Sequence, residues 1–121
     1  MENRGRQYHL ERLGEAMREE IAEIIEGELG DPRIGLATVT EVQLTADGKS
    51  AHVLVSVAGD DDGEAERTLQ GLLGARSYIR HELASRLRLR HAPELHFRLD
   101  RSQQVETRID ELLRRVNRRR K

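Results

Sequence analysis

Five arginines that lie close together in the sequence are the best candidates for binding chemistry in this chain. They are Arg76, Arg80, Arg86, Arg88 and Arg90, and they begin among the small residues Gly74, Ala75 and Ser77. A guanidinium group keeps its charge and donates two parallel hydrogen bonds to a phosphate. A helix that breaks at small residues also presents free N–H groups, which favour an anion. The pattern therefore predicts a phosphate-backbone site at residues 74–80. In the alternative, the small residues ease helix packing and the arginines only solvate a surface.

The helix that carries these arginines has to accommodate Arg76. Apolar residues step by three and four on both sides of it, and at about 100° per residue Arg76 falls in the middle of their stripe. Burial of an unpaired guanidinium is costly, so either the side chain reaches out to solvent or the helix bends. Gly71 and Gly74 each lower helix propensity by roughly 1 kcal/mol relative to alanine. We therefore predict a kink at Gly74, Ala75 and Ser77.

The two halves of the chain carry opposite charge. Residues 1–75 contain 7 basic and 16 acidic side chains, whereas residues 76–121 contain 14 basic and 6 acidic ones. The net charge of −1 hides this difference. Such polarity is typical of a protein that turns one face towards a polyanion. In the alternative, the two halves interleave in space and neutralise each other.

The hydropathy pattern predicts the order helix, strand, strand, helix, strand, helix. Steps of three and four indicate amphipathic helices over residues 8–29, 64–90 and 105–116. Residues 36–44 and 51–57 are predicted to form a hairpin through an Asp-Gly turn, and residues 95–99 alternate as a third strand. We predict a small α+β domain whose three-stranded sheet has helices on one face. Residues 1–7 are expected to be a flexible basic arm, 8–117 a single domain that includes the last helix, and 118–121 a basic tail.

The composition excludes several kinds of site. The chain has no cysteine, which excludes disulfides, thiolate metal sites and cysteine nucleophiles. The five histidines lack metal-ligand spacing, and the aspartates at 60–62 lack the spacing of a calcium loop. Nucleophile-elbow and Gly-rich phosphate motifs are also missing, so we predict no catalytic residue, no metal and no cofactor. No stretch has the apolar length of a signal peptide or a membrane span, so we expect a cytoplasmic protein.

Residues 12–116 resemble the ribosome-binding factor A family. The resemblance is carried by residues 17–25, by Asp-Pro-Arg-Ile-Gly at 31–35, by residues 86–97 and by Asp-Arg-Ser at 100–102, in this order and spacing. It implies a type II KH-like fold with a kinked central helix. Ordinary KH domains clamp nucleic acid with a GxxG loop, which this family replaces by a tight Ala-x-Gly kink. The matching residues here are Ala75, Arg76 and Ser77, so a serine stands in place of the usual glycine.

The resemblance also implies a function. Members of the family bind free 30S small ribosomal subunits, assist late maturation of 16S rRNA without catalysing a reaction, and are linked to cold adaptation and to a maturation GTPase. By resemblance, the RNA-binding role falls on Arg76, Arg80, Arg86, Arg88 and Arg90, with Arg33 as a weaker candidate and Arg4 and Arg6 in the arm. We expect a monomer. The alternative function is a protein-protein interaction module that uses the acidic first helix.

Overall fold

The computed structural model describes residues 3–34, 37–58 and 62–119. Helix α1 spans Asn3–Glu23 and continues into a π-helical turn at Ile24–Glu28, and a short 3-10 turn follows at Pro32–Ile34. The remaining elements are β1 (Ala37–Leu44), β2 (Ser50–Val57), α2 (Asp62–Arg86), β3 (Glu94–Leu99) and α3 (Ser102–Arg119). This order confirms the predicted α+β, KH-like arrangement.

The first helix begins earlier than the sequence indicated. Because α1 starts at Asn3, residues 4–7 are exposed helix and not a separate stretch before it. These residues extend α1 by about one turn, since a turn takes 3.6 residues. The division of the chain into an arm, a domain over 8–117 and a tail stays a prediction.

The sheet has the strand order β1-β2-β3. Strands β1 and β2 pair antiparallel, and the turn between them uses Gly48 at a φ of 72°, a left-handed conformation that glycine adopts without steric cost. Strand β3 pairs parallel with β2, so that Val53 lies beside Phe97 and Ala51 beside Leu95. A parallel pair needs a crossover connection, which α2 supplies.

The core lies between the helices and one face of the sheet. It is aliphatic, with Met17, Ile21 and Ile24 from α1 and its continuation packed against the strands. Helix α2 contributes Leu72, Ile79 and Leu83, each fully buried. Burial of one such side chain stabilises the fold by about 1.5–3 kcal/mol, so these stripes fix which face of each helix meets the sheet.

Asp100 joins the end of the sheet to the last helix. One of its carboxylate oxygens accepts a hydrogen bond from the Thr40 hydroxyl at 2.7 Å, and the other accepts from the hydroxyl and the backbone N–H of Ser102. Thr40 is the residue at which β1 shifts its register against β2. The hydrogen bonds from Ser102 and then Thr40 hold the pKa of Asp100 below its usual range, so the carboxylate is ionised at neutral pH.

Helix α3 presents its apolar stripe to solvent. The predicted stripe residues Val105, Ile109, Leu112, Leu113 and Val116 are all about half exposed. Every side chain that the structure describes on α3 is exposed. Among the described residues, no helix is both long enough and apolar enough to cross a membrane.

Candidate nucleic-acid interface

Helix α2, which carries the predicted site, is not interrupted at the small residues. It runs without a break from Asp62 to Arg86, so no second helix begins at residues 74–77 and no new N terminus forms there. The prediction that the helix breaks here and presents free backbone N–H groups to a phosphate was therefore wrong. Arg76 is exposed, which agrees with the alternative that its side chain reaches solvent from a continuous helix. The helix also ends at Arg86, four residues before the predicted end.

Gly71 is a packing residue of α2. A Cβ atom added there would lie 2.8 Å from Cγ1 of Ile34 and 3.2 Å from Cβ of Arg33. Ile34 is buried in the core, so it has little room to move. The glycine therefore lets the turn at Pro32–Ile34 come against the helix. A Cβ at Gly74, in contrast, would make only an ordinary contact of 3.6 Å with the Arg33 guanidinium.

Arg33 is held over α2 by its own turn. Its Nε and Nη2 atoms donate to the carboxylate of Asp31 at 3.0 and 2.6 Å, and its backbone N–H donates to the same group at 2.9 Å. These bonds lower the pKa of Asp31, so the carboxylate stays ionised. The Thr68 hydroxyl donates to the Arg33 carbonyl at 3.0 Å and ties the turn to α2. The side chain of Arg33 is still 47% exposed, with much of its charge balanced by Asp31.

Arg80 has a structural role in the described chain. Its Nε atom donates to the carbonyl of Pro93 and its Nη2 atom donates to the carbonyl of Ala92, both at 3.0 Å. Both carbonyls lie just before β3, so Arg80 fastens the connection between α2 and β3 to the helix. Two of the five N–H groups of the guanidinium bond to protein carbonyls, and Arg80 thereby positions the loop that carries Arg88 and Arg90.

Replacement of Arg80 by lysine is expected to loosen this loop while it keeps the charge. A lysine cannot donate in the fork geometry that reaches both carbonyls. Because hydrogen bonds from charged groups are worth about 1.5–3 kcal/mol, we expect the free energy of unfolding to fall by about 1–3 kcal/mol. Hydrogen exchange at the amides of residues 88–91 should accelerate more than exchange in β2. Unchanged exchange at residues 88–91 would show that Arg80 does not hold the loop.

Arg86 is surrounded by carboxylates. It donates to Glu28, and it lies 3.4–3.5 Å from carboxylate oxygens of Glu20, Glu23 and Glu82. The hydrogen bond to Glu28 is the largest of the contributions that raise the pKa of the Arg86 guanidinium. The end of α2 is thus joined to α1 and its continuation, and at this point the two charged halves of the chain do neutralise each other. Arg86 has no free charge for a phosphate.

Arg88 adopts a conformation that few arginines adopt. Its φ is 54°, and among the described residues it is the only non-glycine residue with a positive φ. The backbone N–H of Leu89 bonds to the carbonyl of Ala84 at 2.9 Å, and that of Arg88 bonds to the carbonyl of Ser85 at 3.4 Å. This pattern is a Schellman motif, in which glycine usually occupies the position of Arg88. A left-handed residue other than glycine costs about 1–3 kcal/mol, and such residues cluster at functional sites.

Three of the six predicted arginines have free guanidinium groups. Arg76, Arg88 and Arg90 are exposed, and none of them makes a hydrogen bond or ion pair within the part of the chain that the structure describes. Arg88 and Arg90 lie in the loop that Arg80 fastens, and Arg76 lies one turn before Arg80 on α2. The arrangement can bind an extended anion with several phosphates.

Two exposed residues of α2 were not among the predicted site residues. Tyr78 is 46% exposed and Leu73 is 53% exposed, although Leu73 belongs to the predicted apolar stripe. Tyr8 is also 62% exposed, with the Arg12 guanidinium 5.8 Å from its ring centre. Two of the three aromatics are therefore available to stack on bases, which the sequence did not indicate because a lone tyrosine carries no positional signal.

The described residues contain no group of three or more histidine, aspartate or glutamate side chains placed to hold a metal ion. His52 and His96 do lie side by side on β2 and β3, with ring centres 5.4 Å apart. Nδ1 of His52 is buried without a hydrogen-bond partner. Two rings on the sheet face are too few to form a metal site.

Comparison with known proteins gives consistent matches along the chain. Residues 9–113 match the family described as Ribosome-binding factor A. A protein of that name from Koribacter versatilis (strain Ellin345) is 61% identical over 121 residues, which cover 100% of this chain and 98% of the relative. Another from Solibacter usitatus (strain Ellin6076) is 47% identical over 107 residues, which cover 88% of this chain and 86% of the relative.

Solved structures match as well. The crystal structure of ribosome-binding factor A from Thermus thermophilus has a TM-score of 0.64 and 33% identity, and the match covers 75% of this chain and 96% of that one. A Thermus thermophilus ribosome-binding factor A homology model, fitted into a cryo-EM map of a 30S complex with that factor, has a TM-score of 0.63 and 33% identity. That match covers 76% of this chain and 96% of the other.

Proposed function

Because the chain belongs to the ribosome-binding factor A family, we propose that it binds free 30S small ribosomal subunits and assists late maturation of their 16S rRNA. It acts in the cytoplasm, without catalysing a reaction, and a maturation GTPase is linked to its release. The Thermus thermophilus relative that was fitted into a map of a 30S complex supports the choice of partner. Family membership and the free arginines of the α2–β3 region together support the role.

In this function, Arg76, Arg88 and Arg90 grip phosphates of the rRNA. The single observation that carries this assignment is Arg88, which occupies a left-handed position where glycine would avoid the steric cost. The guanidinium of Arg88 is exposed and has no partner among the described residues, so it contributes nothing to the stability of the fold. A phosphate partner accounts for an exposed arginine at this position.

Two of the other predicted RNA-binding arginines act indirectly. Arg80 fastens the loop of Arg88 and Arg90, and Arg86 joins α2 to α1. Arg33 keeps one side of its guanidinium for solvent and contributes a weaker contact. Phosphate contacts carry no sequence information, so shape and position on the particle supply the specificity. Tyr78 adds one surface on which an unpaired base can stack.

Co-sedimentation with free small subunits and with whole ribosomes over a series of salt concentrations tests this function. We expect binding to free subunits to exceed binding to whole ribosomes. The logarithm of the affinity should fall linearly with the logarithm of the salt concentration, because each phosphate contact releases bound counterions. With three contacts on single-stranded or duplex regions, the expected slope is about −2 to −3.

Two outcomes would contradict the proposal. Equal binding to free subunits and whole ribosomes argues against a role in assembly. A slope near zero argues against phosphate contacts, because these release counterions. One series of measurements therefore tests both points. The comparison of free subunits with whole ribosomes tests the partner, and the slope tests the mode of contact.

A further inference from the structure

A groove between the first half of α1 and the end of β1 has no role in the function above. It has a volume of about 890 Å³. Its apolar floor is formed by Leu10, Val42 and Leu44, and Glu11 and Glu41 stand at its rim. Strand β1 is an edge strand, because it stands at one end of the strand order β1-β2-β3 among the described residues. The groove thus combines an apolar floor with one unpaired strand edge.

The acidic lining of the groove favours a positively charged partner. Four carboxylates line it, from Glu11, Glu15, Glu41 and Asp47, against the single cation of Arg6. Glu15 is balanced by Arg18, which lies outside the lining. Asp47 accepts hydrogen bonds from the Thr45 hydroxyl at 2.6 Å and the Lys49 backbone at 3.0 Å. Nucleic acid is repelled by such a rim, whereas a basic peptide is attracted.

Glu11 and Glu41 are the two acidic residues of the groove whose carboxylates are free to bind a partner. Both are exposed, and neither has a hydrogen bond or an ion pair with another described residue. They stand on different elements, α1 and β1, so that they flank the groove from two sides. Their free carboxylates therefore suit two cationic side chains of one bound segment.

The inner end of the groove is fixed by a close approach of α1 to β1. A Cβ atom at Gly14 would lie only 2.7 Å from the carbonyl oxygen of Val42. The last residues of β1 line the groove next to this crossing. An extended segment can lie there along the strand edge, with alternate side chains pointing to opposite sides.

We propose that this groove docks a short, extended, basic segment of a partner protein. Apolar side chains of the segment, spaced two residues apart, rest on Leu10 and Leu44, while the basic side chains between them reach Glu11 and Glu41. Backbone hydrogen bonds to the edge of β1 supply affinity, as in other complexes in which a peptide extends a sheet. The assignment gives the acidic first helix a partner different in chemistry from the rRNA, and it does not depend on the proposed function.

A fluorescent peptide that alternates arginine and valine is the probe for this site. Binding to the full chain is measured by fluorescence anisotropy, and the site is located by NMR shifts of the Val42 and Leu44 amides. The double variant Glu11→Lys and Glu41→Lys is expected to weaken binding by about tenfold, because two exposed charge pairs with the peptide are lost. A peptide in which serine replaces valine should also bind more weakly, because it lacks contacts with the apolar floor.

The matched control reverses two exposed acids outside the groove, through Glu66→Lys and Glu106→Lys. It changes the net charge by the same amount and should leave peptide affinity unchanged. Equal loss in both double variants, or equal binding of the serine peptide, would reduce the effect to general charge attraction and overturn the proposal. Shifts that lie away from β1 would overturn it as well. Co-sedimentation of the Glu11 and Glu41 variant with small subunits reports on the rRNA contacts independently.

Discussion

Simultaneous replacement of Arg76, Arg88 and Arg90 by glutamate is expected to lower the affinity for free small subunits at least about 100-fold at physiological salt. Each arginine loses a charge-assisted hydrogen bond to phosphate, worth about 1.5–3 kcal/mol, and each glutamate adds repulsion. The salt dependence should change in parallel. Because three phosphate contacts are lost, the slope of log affinity against log salt should become shallower by about 2 to 3.

The same change should leave the fold intact. The three side chains are exposed and make no ion pair in the described part of the chain, so thermal unfolding should shift little. Arg12, Arg67 and Arg108 provide the matched control, since their reversal to glutamate changes the net charge equally at other exposed positions. If both triple variants lose the same affinity, the subunit responds only to net charge. If neither does, the phosphate grip lies elsewhere.

Arg80 and Arg86 are unsuitable for such a test, for a reason that the sequence could not supply. Arg80 donates hydrogen bonds to the carbonyls of Ala92 and Pro93. Arg86 donates to Glu28, which lies 58 residues earlier in the chain. All five arginines look alike in the sequence, because charge and spacing describe the donor and not its partner. The partners come from segments that only the tertiary fold brings together. Loss of affinity after reversal of Arg86 would therefore report on folding as much as on rRNA binding.

The element order was predictable because each element has its own hydrophobic period. Helix α1, the hairpin of β1 and β2, and strand β3 all follow from local alternation or from steps of three and four. The parallel pairing of β3 with β2 and the exposure of α3 do not, since an apolar stripe shows which face can be buried but not whether a surface is there to bury it. The resemblance to a known family identified the fold class, and the comparisons confirmed it.

The kink at Gly74, Ala75 and Ser77 stays a prediction, because an uninterrupted helix can be straight or bent. Glycines at 71 and 74 lower helix propensity, and this signal alone favoured a break. In the structure the helix is continuous, and the close approach of Ile34 accounts for a glycine at position 71. A sequence pattern cannot distinguish a glycine that bends a helix from one that admits a neighbour.

Two alanine substitutions in α2 separate these roles and should move stability in opposite directions. Gly74→Ala is expected to raise the free energy of unfolding by up to about 1 kcal/mol, because alanine is the better helix former and its Cβ meets only the Arg33 guanidinium at 3.6 Å. Gly71→Ala is expected to lower it by about 1–3 kcal/mol, since the added methyl would lie 2.8 Å from a core side chain and force it to shift. Denaturation in urea measures both changes.

The sign of the Gly74 effect decides between the two accounts of this segment. If residues 74–77 need glycine for a sharp kink, Gly74→Ala destabilises the chain and weakens subunit binding with it. If Arg76 reaches solvent from a continuous helix, Gly74→Ala stabilises the chain and leaves binding unchanged. Gly71→Ala serves as the internal reference, because its methyl displaces the Pro32–Ile34 turn in either case. A loss of stability in Gly71→Ala together with a gain in Gly74→Ala would assign Gly71 to packing and show that the fold does not need glycine at position 74. Unchanged subunit binding in Gly74→Ala would then favour the exposed arginines over a loop of the KH type as the rRNA contact.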